Sequence, residues 1–235
     1  MDNQPRALAR FSGPLEAASF PEKLNGRVVT PGARPRLHGY DVEGDLAVHY
    51  GTAELLFLSL TGELPARDAA KLLETALAFL APVSVAHAST HSAVLARLCG
   101  AATSTTIGTA AIGLGEQARV LLDEHVTLLA WLEKPTDALP AEYRTTDPAE
   151  RASVERLATA LEKNGVALAV LGLEPTRSAA LLCALHAAGL TSREQLEAAV
   201  VLSRLPTVLA EAFRETVANF RTYPTNLPLF QYEES

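Results

Sequence analysis

Arg204 lies in Val200-Val201-Leu202-Ser203-Arg204-Leu205, a largely apolar stretch of helical character. A guanidinium on such a face is costly to desolvate unless a carboxylate meets it, supplied by the protein or by a ligand. Arg144 stands in a polar loop, where it can bind a carboxylate through paired hydrogen bonds or simply be solvated. Glu174 precedes Pro175 and a segment that Thr176 can open as a helix cap, so its charge favours the positive end of that helix. His87 and His91 are four apart and would share one helical face, an arrangement that suggests a metal pair. No third ligand follows by spacing, and no metal site is expected.

Two further patterns carry less. Gly113-x-Gly115-x-x-Ala118 has the outline of a dinucleotide fingerprint, which requires a preceding strand and an acidic residue after a βαβ unit. The residues before it are Thr, Ala and Gly, and read as helix, so the fingerprint is rejected. Cys99 and Cys183 both fall in Ala/Leu-rich helical stretches and are expected to be free buried thiols. His49, His125 and His186 read as helix-packing or surface residues.

The elements that must position these side chains are mostly helices. The apolar fraction is 48 %, aromatics are only 6 %, and Ala and Leu dominate, which favours helix because neither loses much side-chain entropy there. Residues 1 to about 36 form an irregular arm with a short strand near Arg27-Val28-Val29. Thr52 is expected to cap a helix that stops at Gly62, and the spacing of Leu72, Leu73, Ala76, Leu77 and Leu80 predicts an amphipathic helix over about 66–81. Helices follow over about 89–99 and 117–133, separated by small residues from Thr103 to Gly115 that permit close backbone approach. Asp147-Pro148-Ala149-Glu150 predicts a helix start with Asp as cap, Pro in the first turn and Glu reaching back. That helix ends at Asn164-Gly165, and Val166 to Leu171 form a short segment of either type. Thr176 opens a helix closed by Gly189. Thr191-Ser192-Arg193-Glu194 opens the last long one, which Pro206 is expected to kink. The tail from Tyr223 reads as extended.

With 235 residues the chain can bury one large core, or a large domain carrying a smaller one. The net charge is −7 and no Lys/Arg cluster is present, so nucleic acid is not an expected partner. No apolar run approaches the ~20 residues that span a bilayer, and the polar N-terminus with Pro5 and Pro14 is not a secretory signal. A cytoplasmic protein without membrane association is expected.

Leu37-His38-Gly39-Tyr40-Asp41, followed by Gly62-Glu63-Leu64-Pro65, resembles the N-terminal region of citrate synthases. Ala88-Ser89-Thr90 and the stretch from Gly113 to Gly115 are similar to that family's central helices. Residues 179 to 232 are similar to the citryl-CoA-cleaving C-terminal module of ATP-citrate lyase. The resemblance implies an all-α fold, with a large helical domain from 1–117 and 190–235 and a small inserted lobe from 118–189. It also implies a homodimer, or a heterodimer with a paralogue, acting on a di- or tricarboxylate. In that chemistry a carboxylate takes a proton from an acyl-CoA thioester while histidines stabilise developing oxyanions and arginines clamp the carboxylates. No bound cofactor is implied; the coenzyme A thioester would be a substrate.

Carried over residue by residue, Arg144 in Tyr143-Arg144-Thr145-Thr146-Asp147-Pro148 and Arg204 fall where citrate-binding arginines are found. Arg221 corresponds more loosely to an arginine contributed across the dimer interface. Glu174 aligns with the catalytic aspartate, one methylene longer. His87 and His91 fall on the helix that faces the substrate, and His38 replaces an arginine in a structural position. The departures are as informative. Pro140 or a neighbour stands where the ketone-polarising histidine is expected, and Gly113-Leu114-Gly115-Glu116-Gln117-Ala118 replaces a Gly-Pro-x-His-Gly-Gly element. Two readings follow: an acyl-CoA condensing enzyme or citryl-CoA lyase relative, with Glu174, His87 and His91 in catalytic roles, or a catalytically degenerate homologue that binds a carboxylate or pairs with an active paralogue.

Overall fold

From Val29 the chain makes a small antiparallel meander before it becomes helical. In the computed structural model, which describes residues 23–136 and 138–216, strands β1 (Val29–Thr30), β2 (Arg36–Leu37) and β3 (Tyr40–Asp41) pair in order. His38 and Gly39 turn β2 into β3, both with positive φ, the backbone a tight two-residue hairpin needs. His38 is thus a turn residue, packed on Gly62. Arg221 and the tail from Tyr223 lie outside the described residues, as does most of the N-terminal arm.

Asp41 caps the next turn by accepting from the Glu43 and Gly44 amides, and these hydrogen bonds hold its carboxyl below the usual range. A π-helical turn, Val42–Leu46, leads into α1 (Ala47–His49). Helix α2 (Thr52–Thr61) begins one residue differently from expectation. Thr52 is its first residue rather than its cap, because Glu54 reaches back to the Gly51 amide at 2.7 Å. It closes at Gly62 as expected, and Gly62 takes the left-handed backbone that glycine adopts freely.

The remaining helices are α3 (Arg67–Leu80), α4 (Ala88–Leu98), α5 (Thr103–Glu124), α6 (Val126–Glu133), α7 (Pro148–Lys163), α8 (Arg177–Ala187) and α9 (Arg193–Arg214). The expected 117–133 helix is divided. Its first half continues the small-residue stretch as the 22-residue α5, and the break falls at His125. That ring is buried; it accepts the Ser178 hydroxyl at Nε2 and donates from Nδ1 to the Leu121 carbonyl, and it stacks on Tyr143. Gly113 and Gly115 lie inside α5, which agrees with rejecting a dinucleotide loop. Asp147 caps α7 as read, but its own amide goes to Thr145 Oγ1 rather than to Glu150. The capping box of α9 is Ser192 with Gln195, one residue later than expected, and the helix runs on through Pro206. The undecided 166–171 segment contains the start of a 3₁₀ turn, Ala169–Leu173.

Helix α8 is the centre of the main core, with every residue from Ala179 to Leu185 buried. An all-round apolar helix must be enclosed, and α3, α6, α7 and α9 enclose it. Each fully buried leucine there, such as Leu182 or Leu185, contributes about 1.5–3 kcal/mol relative to exposure. A second cluster, Val83, Ala93, Ala110, Leu114, Val208 and Ala212, joins α4, α5 and α9. Gly113 lets α4 and α5 approach, since a Cβ there would sit 2.8 Å from the Ser89 Cα.

The cysteines divide. Cys183 is buried in α8, where burial pushes its thiol up to about 12, whereas Cys99 is exposed, against expectation, because α4 ends beside it. Ellman titration of the native protein should therefore release one equivalent quickly, and a second only after denaturation. Two fast equivalents would contradict this core.

Candidate functional site

The site is assembled from two loops that precede helices. Residues 143–145 and 174–176 run antiparallel: the Thr145 amide donates to the Glu174 carbonyl at 3.0 Å, and the Thr176 amide to the Tyr143 carbonyl at 2.7 Å. Their helices follow directly, α7 capped by Asp147 and α8 by Thr176. Thr176, Ser178 and His125 form a hydrogen-bonded chain that anchors this corner to the α5–α6 break.

Two of the sequence-assigned residues meet here. Arg144 Nη2 lies 3.4 Å from Glu174 Oε2, and Arg151 Nη2 lies 3.3 Å from Glu174 Oε1. Arg151, in the first turns of α7, is further held by its Nε–H donating to the Thr145 carbonyl. All three side chains are about half exposed. Each exposed pair is therefore worth no more than about 1 kcal/mol. Glu174 also has φ 55 and ψ 51, in the left-handed region. For a residue with a Cβ this costs about 1–2 kcal/mol. The local device is a strained glutamate shared between two arginines.

Arg204 stands elsewhere. Its Nε–H donates to the Leu80 carbonyl at 3.3 Å, while Arg177 Nη2 donates to the neighbouring Phe79 carbonyl at 2.7 Å. Both guanidiniums thus gather at the C-terminal end of α3, where carbonyls lack intrahelical partners and the helix is negative. Burial, and then the charge of Arg177, hold the Arg204 guanidinium below its ordinary pKa. Among the described residues neither arginine has a carboxylate partner. Two partly buried cations exceed the roughly half negative charge of one helix end, and a ligand carboxylate would balance the remainder.

His87 and His91 sit at the start of α4, His87 as its exposed N-cap residue and His91 half-buried one turn on. Neither ring makes a hydrogen bond within the described residues. No group of three or more His, Cys, Asp or Glu that could hold a metal occurs among the described residues. A cleft of about 500 Å³ lies between α2, α3 and α9, lined by Arg67, Lys71, Glu74, Leu77, Leu202 and Ser203 among others. It includes none of the sequence-assigned residues.

Arg151 and Arg177 were not legible as site residues. One signal existed for Arg177: a cation at the first position of a helix opposes the macrodipole, so it has to find its partner elsewhere. Arg151 carries no such signal, since its position in α7 is ordinary until the 174 loop packs beside it.

No protein-family model and no curated protein sequence matches the chain. No helix among the described residues is long and apolar enough to cross a membrane. In three dimensions the chain is similar to citryl-CoA lyase from Hydrogenobacter thermophilus, with a TM-score of 0.62 and 15 % identity, over 90 % of this chain and 95 % of that one. At this identity the likeness is one of fold: the chain has an all-helical, citrate synthase-like architecture.

Proposed function

We propose that this protein binds a di- or tricarboxylate such as citrate at Arg204 and Arg177, as a citrate synthase-like protein. The observation that carries the reading is the pair of partly buried guanidiniums at the end of α3, without a carboxylate partner among the described residues. Arg144 supplies a further cation for the same ligand. In this reading 118–189 is the smaller lobe and contributes Arg144, Arg151, Glu174 and Arg177, while Arg204 belongs to the larger.

If the protein handles acyl-CoA thioesters, Glu174 is the base and His87 or His91 the group that steadies developing negative charge. A second reading, a binding or regulatory homologue without turnover, is favoured by one observation: both carboxylate oxygens of Glu174 are engaged by arginines of the protein itself rather than free to face a substrate. Calorimetric titration with citrate and oxaloacetate tests the binding claim, and a failure of both to bind removes it. Release of free thiol from acetyl-CoA and oxaloacetate, abolished by Glu174→Gln, separates the enzyme from the binder.

We further read the protein as a dimer of two copies or of this chain with a paralogue. Ile112 on α5 is 73 % exposed, with Gly108 and Gly115 one turn to either side and no atom of the described residues within 4 Å of a Cβ at either. Such a face suits close helix packing. Light scattering should report a dimer for the unaltered chain and a monomer for Ile112→Glu; a monomer in both cases removes this assignment.

A further inference from the structure

His125 and Ser178 meet across 53 residues of chain, where the α5–α6 break packs on the start of α8. His125 Nδ1 lies 2.7 Å from the Leu121 carbonyl oxygen. A carbonyl only accepts, so the neutral ring carries its proton on Nδ1. Nε2 is then an acceptor, and the Ser178 hydroxyl donates to it at 2.9 Å. Tyr143 stacks on the ring with centroids 5.2 Å apart, which restricts its rotation. The Thr176 hydroxyl lies 3.3 Å from the Ser178 Oγ and, with the serine proton committed to His125, is the donor of that pair.

This directed chain is the arrangement that makes a serine nucleophilic. One imidazole nitrogen accepts the hydroxyl proton while the other is fixed by a third group. His125 is buried, which keeps the base out of bulk water, whereas Ser178 is only partly buried. Thr176 Oγ1 caps the Ala179 amide, so the Arg177 and Ser178 amides at the first two positions of α8 have no partner among the described residues. They stand at the positive end of an 11-residue helix as free donors for an oxyanion formed at the serine.

We propose that Ser178 and His125 are a nucleophile–base dyad that transfers the acyl group of an oxyester or thioester to water. Ser178 Oγ attacks the acyl carbon as its proton passes to His125 Nε2. The carbon–oxygen or carbon–sulfur bond breaks, and the leaving alkoxide or thiolate takes that proton. Water then attacks the acyl-serine and gives a proton to His125, which returns it to Ser178 Oγ as the acid leaves. The sum is ester plus water to acid plus alcohol or thiol. The step uses neither Glu174 nor Arg204, so it stands or falls apart from the carboxylate-binding reading.

The test uses the full-length chain with diisopropyl fluorophosphate, with p-nitrophenyl acetate, and with acetyl-CoA in the absence of oxaloacetate. The fluorophosphate should add one equivalent, which peptide mass spectrometry places on Ser178. Turnover of at least one of the two esters should be lost in Ser178→Ala, whose melting curve shows that it folds. His125→Gln should slow the same turnover about 100-fold. If that variant does not fold, the Ser178 adduct and Ser178→Ala decide by themselves. Turnover of one ester alone supports the dyad and says which leaving group it takes. Absence of the Ser178 adduct, turnover of neither ester, or turnover that survives Ser178→Ala overturns it. The hydrogen-bonded chain is then only an anchor for α8.

Discussion

Arg204→Met should abolish citrate binding while leaving the melting temperature of the unliganded protein nearly unchanged. Unliganded, Arg204 contributes little. It is partly buried, it faces Arg177, and its return is one hydrogen bond of 3.3 Å to the Leu80 carbonyl. Methionine keeps the aliphatic stem that packs on α3. It loses a hydrogen bond worth about 1 kcal/mol but also removes a desolvated charge. Those terms nearly cancel. In the complex the balance differs, because a guanidinium–carboxylate contact in a partly desolvated site is worth about 2–4 kcal/mol, or roughly 30- to 1000-fold in Kd. Calorimetry against citrate, with thermal unfolding of the unliganded variant alongside, checks both halves. Undiminished affinity would mean that Arg204 only staples α9 to the end of α3.

Gly113→Ala should lower stability by about 2–3 kcal/mol, although helix propensity alone predicts a gain. In an exposed helix, alanine for glycine is worth about 0.5–1 kcal/mol. At Gly113 the new methyl would lie 2.8 Å from the Ser89 Cα and 3.0 Å from its Cβ. The first is backbone and cannot rotate away, so α4 and α5 must separate. Forcing an extra carbon into a packed interface costs about 1–3 kcal/mol, and the packing of Ala93, Ala110 and Leu114 beside it is disturbed as well. In a chain of this length the change corresponds to a fall of about 4–12 °C in Tm. Gly115→Ala is the control, since among the described residues nothing lies within 4 Å of its added methyl. Made in the Ile112→Glu background, so that association does not enter, it should be neutral or stabilising. Equal effects at the two glycines would refute the close approach.

The helices were legible because their signals are local. Gly62, Gly165 and Gly189 end helices in a backbone that glycine adopts freely, and Asp147-Pro148 and Thr176 start them with side chains that bond the next residues. Errors of one residue arose where two caps competed, as at Thr52 and Ser192, and local pattern cannot rank such neighbours. The break at His125 was not legible. Its cause is Ser178 and Tyr143, 53 and 18 residues along the chain, which draw the ring inward.

The candidate site divides in the same way. An arginine in the apolar run around Arg204 needs a partner wherever it folds, so sequence alone determined that this residue calls for a carboxylate, from the protein or from a ligand. It also determined that Glu174 stands ahead of a helix and that Arg144 stands in a loop. Only tertiary structure decided that Arg144 and Glu174 share an ion pair across 30 residues, and that Arg151 joins them. Likewise, only packing brought Arg204 to the Leu80 carbonyl and set Arg177 beside it. The physical reason is range. Capping and periodicity act within a turn or two of helix, whereas the convergence of charges follows from how α3, α7, α8 and α9 bury their apolar faces.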